Sequence, residues 1–383
     1  MSTLKVGAIR GVSASSDAIS VANDGTCTAN ITNNLSNRNK VINGAMVINQ
    51  RLGTYNRPSG DEYTVDRFKT GSGSSFNFDT LTTQDSSAPD GFSKSLKITP
   101  QSSRTPTGSE NGFFVHYVEG QNLQDLAYGT SSARKITFSF YAKSSSQNNN
   151  HVYSIQLRKI QTGGAVKHVL QPFTVTSSYQ RFSFTFDGDT ASDIIDGNVT
   201  GLEINFMLAA GSSDLESATS TWTTNTGFRG VTGQSNFMDN TSNEFFLTGV
   251  QLEVGSVATD FEHRSPAQEL LLCQRYYQEV GRSTTMAGNT GSTQIGNVGV
   301  PIACAMRATP TIASGITYHC WHGNSGGVNN NGTAMVINTF NTSSYPQHSP
   351  MMSGTVSGFS LTDNRTATVV ANAGILIKMS AEL

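Results

Sequence analysis

Charged residues are scarce in this chain of 383 residues: Asp, Glu, Lys and Arg make up 14% of it, and the formal net charge is −2. Proteins that bind nucleic acids usually carry a basic patch, because neutralising phosphates supplies much of their affinity. The composition therefore argues against nucleic acid as a partner.

Long apolar runs are also missing. No run approaches the roughly 18 residues of a transmembrane helix. The first residues contain no apolar segment of the kind found in secretory signals. We therefore expect no membrane insertion, and folding in the cytoplasm of the cell that makes the chain.

Cysteines are few and far apart. The chain has four, none of them in a Cys-x-x-Cys pair: Cys27, Cys273, Cys304 and Cys320. This spacing supports neither a zinc site nor a disulfide framework. We expect free thiols, as in a reducing compartment, and we predict no cofactor and no metal site.

Uncharged polar residues and glycine take the place of the missing charge. Hydrophobic residues are only 36% of the chain, yet aromatic residues reach 9% and recur in short alternating runs. Such runs, separated by clusters of Gly, Ser, Asn and Asp, are typical of short β-strands joined by turns. The sequence therefore predicts an all-β fold rather than a disordered chain or a parallel α/β fold.

The largest predicted unit is a jelly-roll β-sandwich over residues 41–264. Phenylalanines alternate with other residues in 135–142 and 181–186, which places their rings on one face of each strand. We predict eight strands, at residues 77–81, 95–99, 113–118, 136–142, 152–160, 182–186, 201–208 and 245–254. Burying an aromatic ring of this size contributes roughly 1.5–3 kcal/mol, so the sandwich should be stable without disulfides.

Residues 245–281 join this sandwich to the rest of the chain. The side chains of residues 245–254 follow a two-residue period. This period predicts a half-buried strand with Phe246, Val250 and Leu252 on the same face. Ser265 and Pro266 then form a helix N-cap and first turn, and apolar residues recur at three- and four-residue steps. We predict a short linking helix over residues 265–281.

Smaller units are predicted on either side of the sandwich and the helix. Residues 1–40 hold too few large apolar groups to fold alone, so we expect an extended N-terminal segment that packs on other chains. A disordered arm is the alternative. Residues 282–383 predict a smaller C-terminal β domain, with strands near residues 298–312, 316–321, 334–340, 356–361, 366–370 and 374–379.

Three segments of the chain resemble those of a known family. Residues 248–255 read Thr-Gly-Val-Gln-Leu-Glu-Val-Gly, residues 261–264 read Phe-Glu-His-Arg, and residues 269–277 read Glu-Leu-Leu-Leu-Cys-Gln-Arg-Tyr-Tyr. Together they resemble the hallmark of a family of tail-fibre-like structural proteins from tailed bacteriophages.

The resemblance extends toward the N-terminus and covers roughly residues 41–277. Residues 41–51 and 63–68 resemble the first segment of that family, with Phe68 in place of its usual tryptophan after Asp-Arg. Further segments resemble its central jelly roll, a sandwich similar to carbohydrate-binding modules: residues 119–126, 129–130 and 135–143.

This resemblance implies a component of a virion, assembled in the host cytoplasm. It implies a homotrimeric tail fibre or similar appendage, attached through residues 1–40 to other virion proteins of the tail or portal adaptor. In this interpretation residues 282–383 form an exposed tip that binds a host surface glycan.

The predicted ligand-binding residues lie in that C-terminal region: Tyr318, His319, Trp321, His322 and Tyr345. Trp321 precedes an Asn- and Gly-rich loop of the kind that often carries recognition, although tryptophan is more often a buried core residue. In a strand, His319 and His322 fall on opposite faces, which opposes a shared metal ion within one chain. One histidine per chain around a trimer axis is the remaining metal alternative.

A loop containing Asp187, Asp189 and Asp193 offers spaced carboxylates next to a glycine. Carboxylates in such a loop could hold calcium, but the spacing does not match the twelve-residue EF-hand loop and lacks its final glutamate. We predict a solvated turn here, with calcium as the alternative.

Signals for catalysis are poor. A glycan-cleaving enzyme needs two carboxylates across a groove, and the sequence does not pair any of the candidates Asp61, Glu62, Glu203 and Glu244. No nucleophile elbow or phosphate loop is present. We therefore predict a binding protein that is not an enzyme. A purely structural capsid or tail decoration or adaptor is the first alternative, and a polysaccharide-degrading tailspike is the second, although regular short repeats are missing.

Overall fold

Antiparallel strands make up most of the regular structure in the computed structural model. It describes residues 6–12, 19–21, 27–29, 37–51, 55–57, 62–224, 227–280, 286–290, 294–312, 318–322, 330–332, 334–337, 351–357, 366–371 and 377–383. The prediction of an all-β fold is therefore confirmed. None of the described helices is long and apolar enough to cross a membrane.

The first eighteen strands precede the α-helix. In chain order they are β1 Ala8–Ile9, β2 Ile19–Val21, β3 Cys27–Ala29, β4 Tyr55–Arg57, β5 Glu62–Tyr63, β6 Phe68–Gly73, β7 Thr80–Asp85, β8 Ser95–Pro100, β9 Asn111–Glu119, β10 Ile136–Ser144, β11 Val152–Ile160, β12 Val166–Thr174, β13 Gln180–Phe186, β14 Thr200–Ala210, β15 Leu215–Glu216, β16 Thr219–Thr224, β17 Gly230–Val231 and β18 Phe245–Val254. Short 3-10 helices occur at Gly120–Leu126, Ser212–Asp214 and Phe237–Asp239.

The helix and the remaining strands follow. They are α1 Pro266–Gln274, β19 Tyr277–Val280, β20 Met286–Thr290, β21 Gln294–Pro301, β22 Thr311–Ile312, β23 Tyr318–His322, β24 Asn330–Gly332, β25 Ala334–Ile337, β26 Met351–Ser357, β27 Thr366–Ala371 and β28 Ile377–Ser380.

Two large sheets form the sandwich. One has seven strands in the order β16-β12-β11-β14-β9-β6-β5, and the other has six in the order β13-β10-β18-β8-β7-β4. The alternating phenylalanines of β10 and β13 face a common core, where the Phe140 ring lies 5.0 Å from that of Phe206 and 5.1 Å from that of Phe173. These rings therefore bridge the two sheets, as the alternation predicts.

Strand β12 lies inside the seven-stranded sheet, but the sequence does not predict it. Its residues mix Lys167, His168 and Pro172 with apolar groups, so no two-residue period stands out. Pro172 lies opposite Ser154 of β11 and beyond the described pairing with β16, which extends only to Leu170. Strands β6 and β16 are likewise observed but not predicted.

Strand β18 differs from the half-buried, single-parity strand predicted for it. Nine of its ten residues are buried, because β10 and β8 flank it and other segments cover its second face. A β-bulge shifts its register against β10 near Gly249, whose φ is 61°. As a result Phe245 and Leu247 face the core before the bulge, and Val250 and Leu252 face it afterwards.

The linking helix is shorter than the predicted 265–281. Ser265 caps it as expected, with its Oγ accepting from the Gln268 backbone N–H at 3.3 Å. The helix ends at Gln274, however, and Tyr277–Val280 is strand β19, paired antiparallel with β28. A helix of nine residues has little stability of its own, so it does not extend further against a competing interaction. Pairing with β28 therefore determines the conformation of residues 277–280.

The C-terminal region contains a second seven-stranded sheet, in the order β24-β23-β27-β20-β21-β26-β25. A three-stranded sheet, β19-β28-β22, lies at the start and end of this region. Residues after β28 return to the sandwich, since the Tyr63 hydroxyl donates to the Leu383 backbone oxygen at 2.6 Å. The predicted boundary at residue 282 is therefore crossed by direct contacts.

In the described part of the N-terminal segment, strands β1, β2 and β3 form a small antiparallel sheet. Four large apolar residues of this sheet and its flanks are exposed: Val6, Ile9, Val12 and Val21. Cys273 and Cys304 are free thiols, as predicted, whereas the side chains of Cys27 and Cys320 lie outside the described part.

The bulge in β18 generates a prediction about Gly249. A Cβ there would lie 2.8 Å from ring atoms of both Phe92 and Tyr141, on a backbone with positive φ. We expect Gly249→Ala to lower the free energy of unfolding by roughly 2–4 kcal/mol, from the left-handed conformation and the overpacking together. Urea unfolding of the purified chain measures this loss.

Gly163→Ala is the matched control, because Gly163 also has positive φ but nothing lies within 4 Å of an added Cβ. It should lose only roughly 1–2 kcal/mol. Equal losses in the two variants would contradict the packing role of the bulge.

Candidate functional site

The structure describes the backbone around four of the predicted ligand-binding residues. Tyr318, His319, Trp321 and His322 belong to β23, which pairs with β24 and β27. The side chains of these residues lie outside the described part of the structure, as does the whole of Tyr345. Their role in binding stays a prediction.

The described side chains offer a different candidate, on the outer face of the sandwich's seven-stranded sheet. Cross-strand pairing brings four residues into one row: Tyr117 lies opposite Glu203, Glu203 opposite Arg158, and Arg158 opposite His168. Their chain neighbours, such as Val118, Leu202 and Leu157, belong to the core. Because strand side chains alternate, the row lies on the face away from the core.

An ion pair forms the centre of this outer row. The Arg158 guanidinium contacts the Glu203 carboxylate, and its Cζ lies 4.5 Å from the centre of the Phe228 ring. Burial raises the pKa of Glu203, although Arg158 opposes that shift. The two side chains hold each other in place, and the ring of Phe228 covers the guanidinium.

Residues 212–218 and 227–234, which we call the covering segment, lie across part of the same face. Phe228 stacks on Phe113 with ring centres 4.2 Å apart. The Arg229 backbone N–H donates to Gln156 Oε1 at 3.2 Å, and the Val231 N–H donates to Ser154 Oγ at 3.2 Å. The covering segment therefore buries one end of the outer face and leaves the outer row at its margin.

His168, at the far end of the row, is a buried neutral imidazole. Its Nδ1 lies 2.8 Å from Gln156 Nε2, and its Nε2 lies 2.7 Å from Glu216 Oε1 of the covering segment. Burial lowers the pKa of His168 to about 4, with help from Arg158 and Arg229. The amide nitrogen of Gln156 can only donate a hydrogen bond to Nδ1, so we assign the imidazole proton to Nε2. The Nε2–H then donates a hydrogen bond to the Glu216 carboxylate.

At its accessible end the outer face offers aromatic rings beside polar groups. Tyr117 and Phe228 are partly exposed, and the Lys69 ammonium lies 5.8 Å from the Tyr117 ring centre. Rings flanked by hydrogen-bonding groups can stack on an apolar ligand face and fix its orientation. The arrangement suits binding of an extended polar ligand.

The catalytic candidates do not come together on this face. Glu203 belongs to the outer row, whereas Glu244 precedes β18 of the other sheet and pairs with Lys97 at 2.5 Å. Asp61 and the side chain of Glu62 lie outside the described residues. Among the described residues no group of three or more His, Cys, Asp or Glu could hold a metal ion.

The loop containing Asp187, Asp189 and Asp193 corrects the expectation of a solvated turn. Asp187 is exposed, but Asp189 is only 7% exposed and lies 3.0 Å from the Lys159 ammonium. The loop therefore folds around a charge that belongs to the chain itself. Sequence reasoning had no signal for this, since Lys159 lies at the end of a well-predicted strand.

A second cluster joins the sandwich to α1 and the chain's last residues, and we call it the junction. Arg67 is fully buried, contacts the Glu382 carboxylate, and lies 3.4 Å from the centre of the Tyr276 ring. Its Nη2 donates to the Tyr117 backbone oxygen at 2.8 Å. Burial disfavours the charge, but Glu382, Tyr276 and Tyr63 together outweigh burial, and the pKa of Arg67 is raised.

Further charged pairs extend the junction. Arg51 lies 3.0 Å from Glu382 and 3.6 Å from Asp66, with its Cζ 3.8 Å from the Tyr277 ring centre. Arg275 makes two 2.9 Å hydrogen bonds to the buried Glu119, one from Nε and one from Nη2. Such fork-shaped pairs fix orientation as well as charge.

The segments that resemble the phage family meet at this junction. Glu269 accepts the Asn43 backbone N–H at 2.5 Å, and Glu262 accepts the backbone N–H of Asn39 at 2.7 Å. Asp66 accepts the Gln50 N–H at 2.6 Å. Asn39 lies just before the segments quoted for the resemblance, and the other residues belong to them. Together they form one polar network, which sequence spacing alone does not reveal.

Comparisons with known proteins give distant likenesses only. No family model matches the chain, and no curated protein matches it. Among solved structures, the enzymatically active domain of tailspike protein 4 from bacteriophage CBA120 is 12% identical with a TM-score of 0.30, and the match covers 57% of this chain and 21% of that one.

Two carbohydrate-binding modules give similar values. The family 11 module of the cellulase Lic26A-Cel5E from Clostridium thermocellum is 16% identical with a TM-score of 0.29, covering 54% of this chain and 98% of the module. The CBM22-1 xylan-binding domain of Paenibacillus barcinonensis Xyn10C is 10% identical with a TM-score of 0.28, covering 54% and 96%. At these scores the likenesses carry no argument about function.

The junction predicts a large effect of removing one charge. Glu382→Gln leaves the Arg67 guanidinium buried beside a neutral amide, so we expect a loss of roughly 3–5 kcal/mol in the free energy of unfolding. Asp125→Asn is the control, because the Lys40–Asp125 pair is partly exposed and should contribute less than about 1 kcal/mol. Similar losses in both variants, measured by urea unfolding, would contradict the role of Glu382.

The outer row predicts a pH dependence. The pKa of His168 falls from an ordinary 6.5 to about 4 in the folded chain, so the unfolded chain binds the proton first as pH falls. The stability due to neutral His168 is therefore lost as pH falls from 6.5 toward 4. The unfolding temperature of the native chain should fall more steeply across this range than that of His168→Gln.

Glu216 is present in both proteins, so the difference between their curves isolates the imidazole. Parallel curves would show that His168 does not titrate as the structure requires.

Proposed function

We propose that this chain is a structural subunit of a tailed-phage particle, a tail-fibre-like appendage that binds host surface glycans. It would attach through its N-terminal segment and assemble as a homotrimer. Its mechanism would be binding without chemistry, with weak contacts multiplied by several copies on one particle, which raises avidity by roughly 10² to 10⁴ over a single site.

The junction is the observation that carries this proposal. The segments quoted for the family resemblance are far apart in sequence, yet they hydrogen-bond to one another: Arg275 donates to the Glu119 carboxylate, and Glu269 accepts the Asn43 backbone N–H. Buried polar groups need hydrogen-bond partners, and here one quoted segment supplies them to another. This arrangement supports the interpretation that the quoted segments belong to one structural unit.

Two surfaces are candidates for glycan binding. The first is the C-terminal region with Tyr318, Trp321 and Tyr345, as the sequence predicts. The second is the accessible end of the outer face, where Tyr117 and Phe228 are partly exposed. Both would supply aromatic rings beside polar groups.

Attachment through the N-terminal segment is supported by its exposed apolar residues. Ile9 is 52% exposed in a sheet too small to bury it, and Val12, which follows the first strand of that sheet, is fully exposed. Such residues would be covered by a neighbouring copy or another virion protein.

The absence of catalysis is also part of the proposal. Glu203 is paired with Arg158 and Glu244 with Lys97, on different sheets. Incubating the purified chain with bacterial polysaccharides should therefore release no new reducing ends.

A purely structural decoration protein is the second candidate. Contacts of Glu382 and Leu383 with the sandwich hold the C-terminal region at its base, which would also suit a part that serves assembly. Adsorption and assembly of particles carrying variant chains distinguish the two roles.

The full-length chain should bind at least one member of an array of bacterial surface polysaccharides. Trp321→Ala should weaken this binding at least about tenfold if the C-terminal region is the site, because a stacked ring contributes more than about 1.4 kcal/mol at a hot spot. Tyr117→Ala should do so if the outer face is the site. Val257→Ala removes an exposed apolar group outside both surfaces and should change nothing.

Particles carrying the weakened variant should assemble normally but adsorb poorly to host cells. Binding to no polysaccharide, together with failed assembly in the same variants, would favour the decoration protein instead.

A further inference from the structure

One lysine side chain is buried completely inside the sandwich. The Lys159 ammonium donates to the Ser192 backbone oxygen at 2.7 Å, to Ser192 Oγ at 2.8 Å and to the Asp193 backbone oxygen at 2.9 Å. Asp189 Oδ2 lies 3.0 Å from it. Four oxygens of the loop of residues 187–193 thus converge on a single cation.

Aromatic rings lie on the other side of the same ammonium. Its nitrogen is 5.5 Å from the centre of the Tyr128 ring and 5.9 Å from that of Trp222. These two rings meet edge to face, with centres 5.8 Å apart. The Trp222 Nε1–H also donates to the Asp187 backbone oxygen at 2.9 Å, which ties the ring to the loop.

Asp189 organises the loop around this charge. It accepts hydrogen bonds from Ser192 Oγ at 2.6 Å and from the Ala191 N–H at 2.9 Å, and it also pairs with Lys167 at 2.9 Å. Its backbone oxygen accepts the Gly129 N–H at 2.8 Å. The loop therefore has the oxygens of a cation site, and the chain fills the site itself.

We propose that Tyr128, Asp189, Ser192, Asp193 and Trp222 form a cage for a primary ammonium ion. In the native chain Lys159 occupies this cage. When the lysine is shortened, the cage binds a free alkylammonium ion from solution.

The chemistry of the cage selects an organic ammonium over calcium. Calcium takes six to eight oxygen ligands, usually with several carboxylates, whereas this ammonium has four oxygens around it, one of them from a carboxylate. Aromatic faces attract organic cations, and an ammonium can donate only three hydrogen bonds, which matches the three donations made by Lys159.

The proposal also explains how a loop with spaced carboxylates keeps its shape without calcium. A fixed ammonium is always at the site, so the loop keeps its shape at any metal concentration. The chain would then be insensitive to chelators at this loop.

Substitution of Lys159 tests the cage directly. Lys159→Ala removes three methylenes and the ammonium, a fragment that matches propylammonium. We expect its unfolding temperature to fall by roughly 10 °C, because Asp189 and the loop oxygens lose their buried cation. Propylammonium chloride should restore at least half of that loss, with a saturating concentration dependence.

Three additives serve as controls at matched concentration or ionic strength: n-propanol, sodium chloride and calcium chloride. None should restore the variant as propylammonium does. Lys167→Ala is the matched variant, since Lys167 pairs with the same Asp189 carboxylate but is not enclosed by the rings. It should lose less stability and show no response to propylammonium.

If Lys159→Ala is recovered only as aggregate, the readout becomes the yield of soluble protein after refolding with and without propylammonium. A higher yield with propylammonium than with n-propanol supports the cage. Equal effects of propylammonium and n-propanol, or rescue by calcium alone, would overturn the proposal. So would a Lys159→Met variant as stable as the native chain.

Discussion

A buried guanidinium is the constraint on which the rest of this structure depends. Arg67 has no access to solvent, so its charge must be neutralised inside the protein. Glu382, 315 residues later in the chain, supplies the opposite charge, and Tyr276 covers the guanidinium from α1's C-terminal side. One interaction therefore requires the sandwich, the residues after the helix and the end of the chain to be in place together.

The sequence predicts the sandwich well where local pattern and tertiary role agree. Strands Val152–Ile160 and Phe245–Val254 have the predicted bounds, and the alternating rings of β10 and β13 lie in the core. It fails where tertiary contacts override the local pattern. The bulge at Gly249 reverses the parity of β18, and pairing of β19 with β28 ends the helix early, since both depend on distant strands.

The candidate functional residues likewise divide into those that the sequence indicates and those that only the tertiary structure reveals. Aromatic residues in a polar C-terminal region can be singled out from composition, and their role stays a prediction. The outer row could not be found from sequence, because Tyr117, Glu203 and Arg158 become neighbours only through strand register. Lys159 gave no signal either, since a lysine at the end of a strand is usually solvated, and only the loop of Asp189 makes this one a core residue.

The pairing of Val280 with Ile377 has a mechanical consequence. The C-terminal region leaves the sandwich on β19 and returns on β28, at adjacent points. Tension on that region would load the ladder from the Val280–Ile377 end and break its hydrogen bonds one after another rather than all together. The ion pair of Arg67 and Glu382 lies beyond the opposite end of this ladder. It would therefore be the last contact to break. While it held, β19 and β28 would stay close enough to pair again once the tension ended.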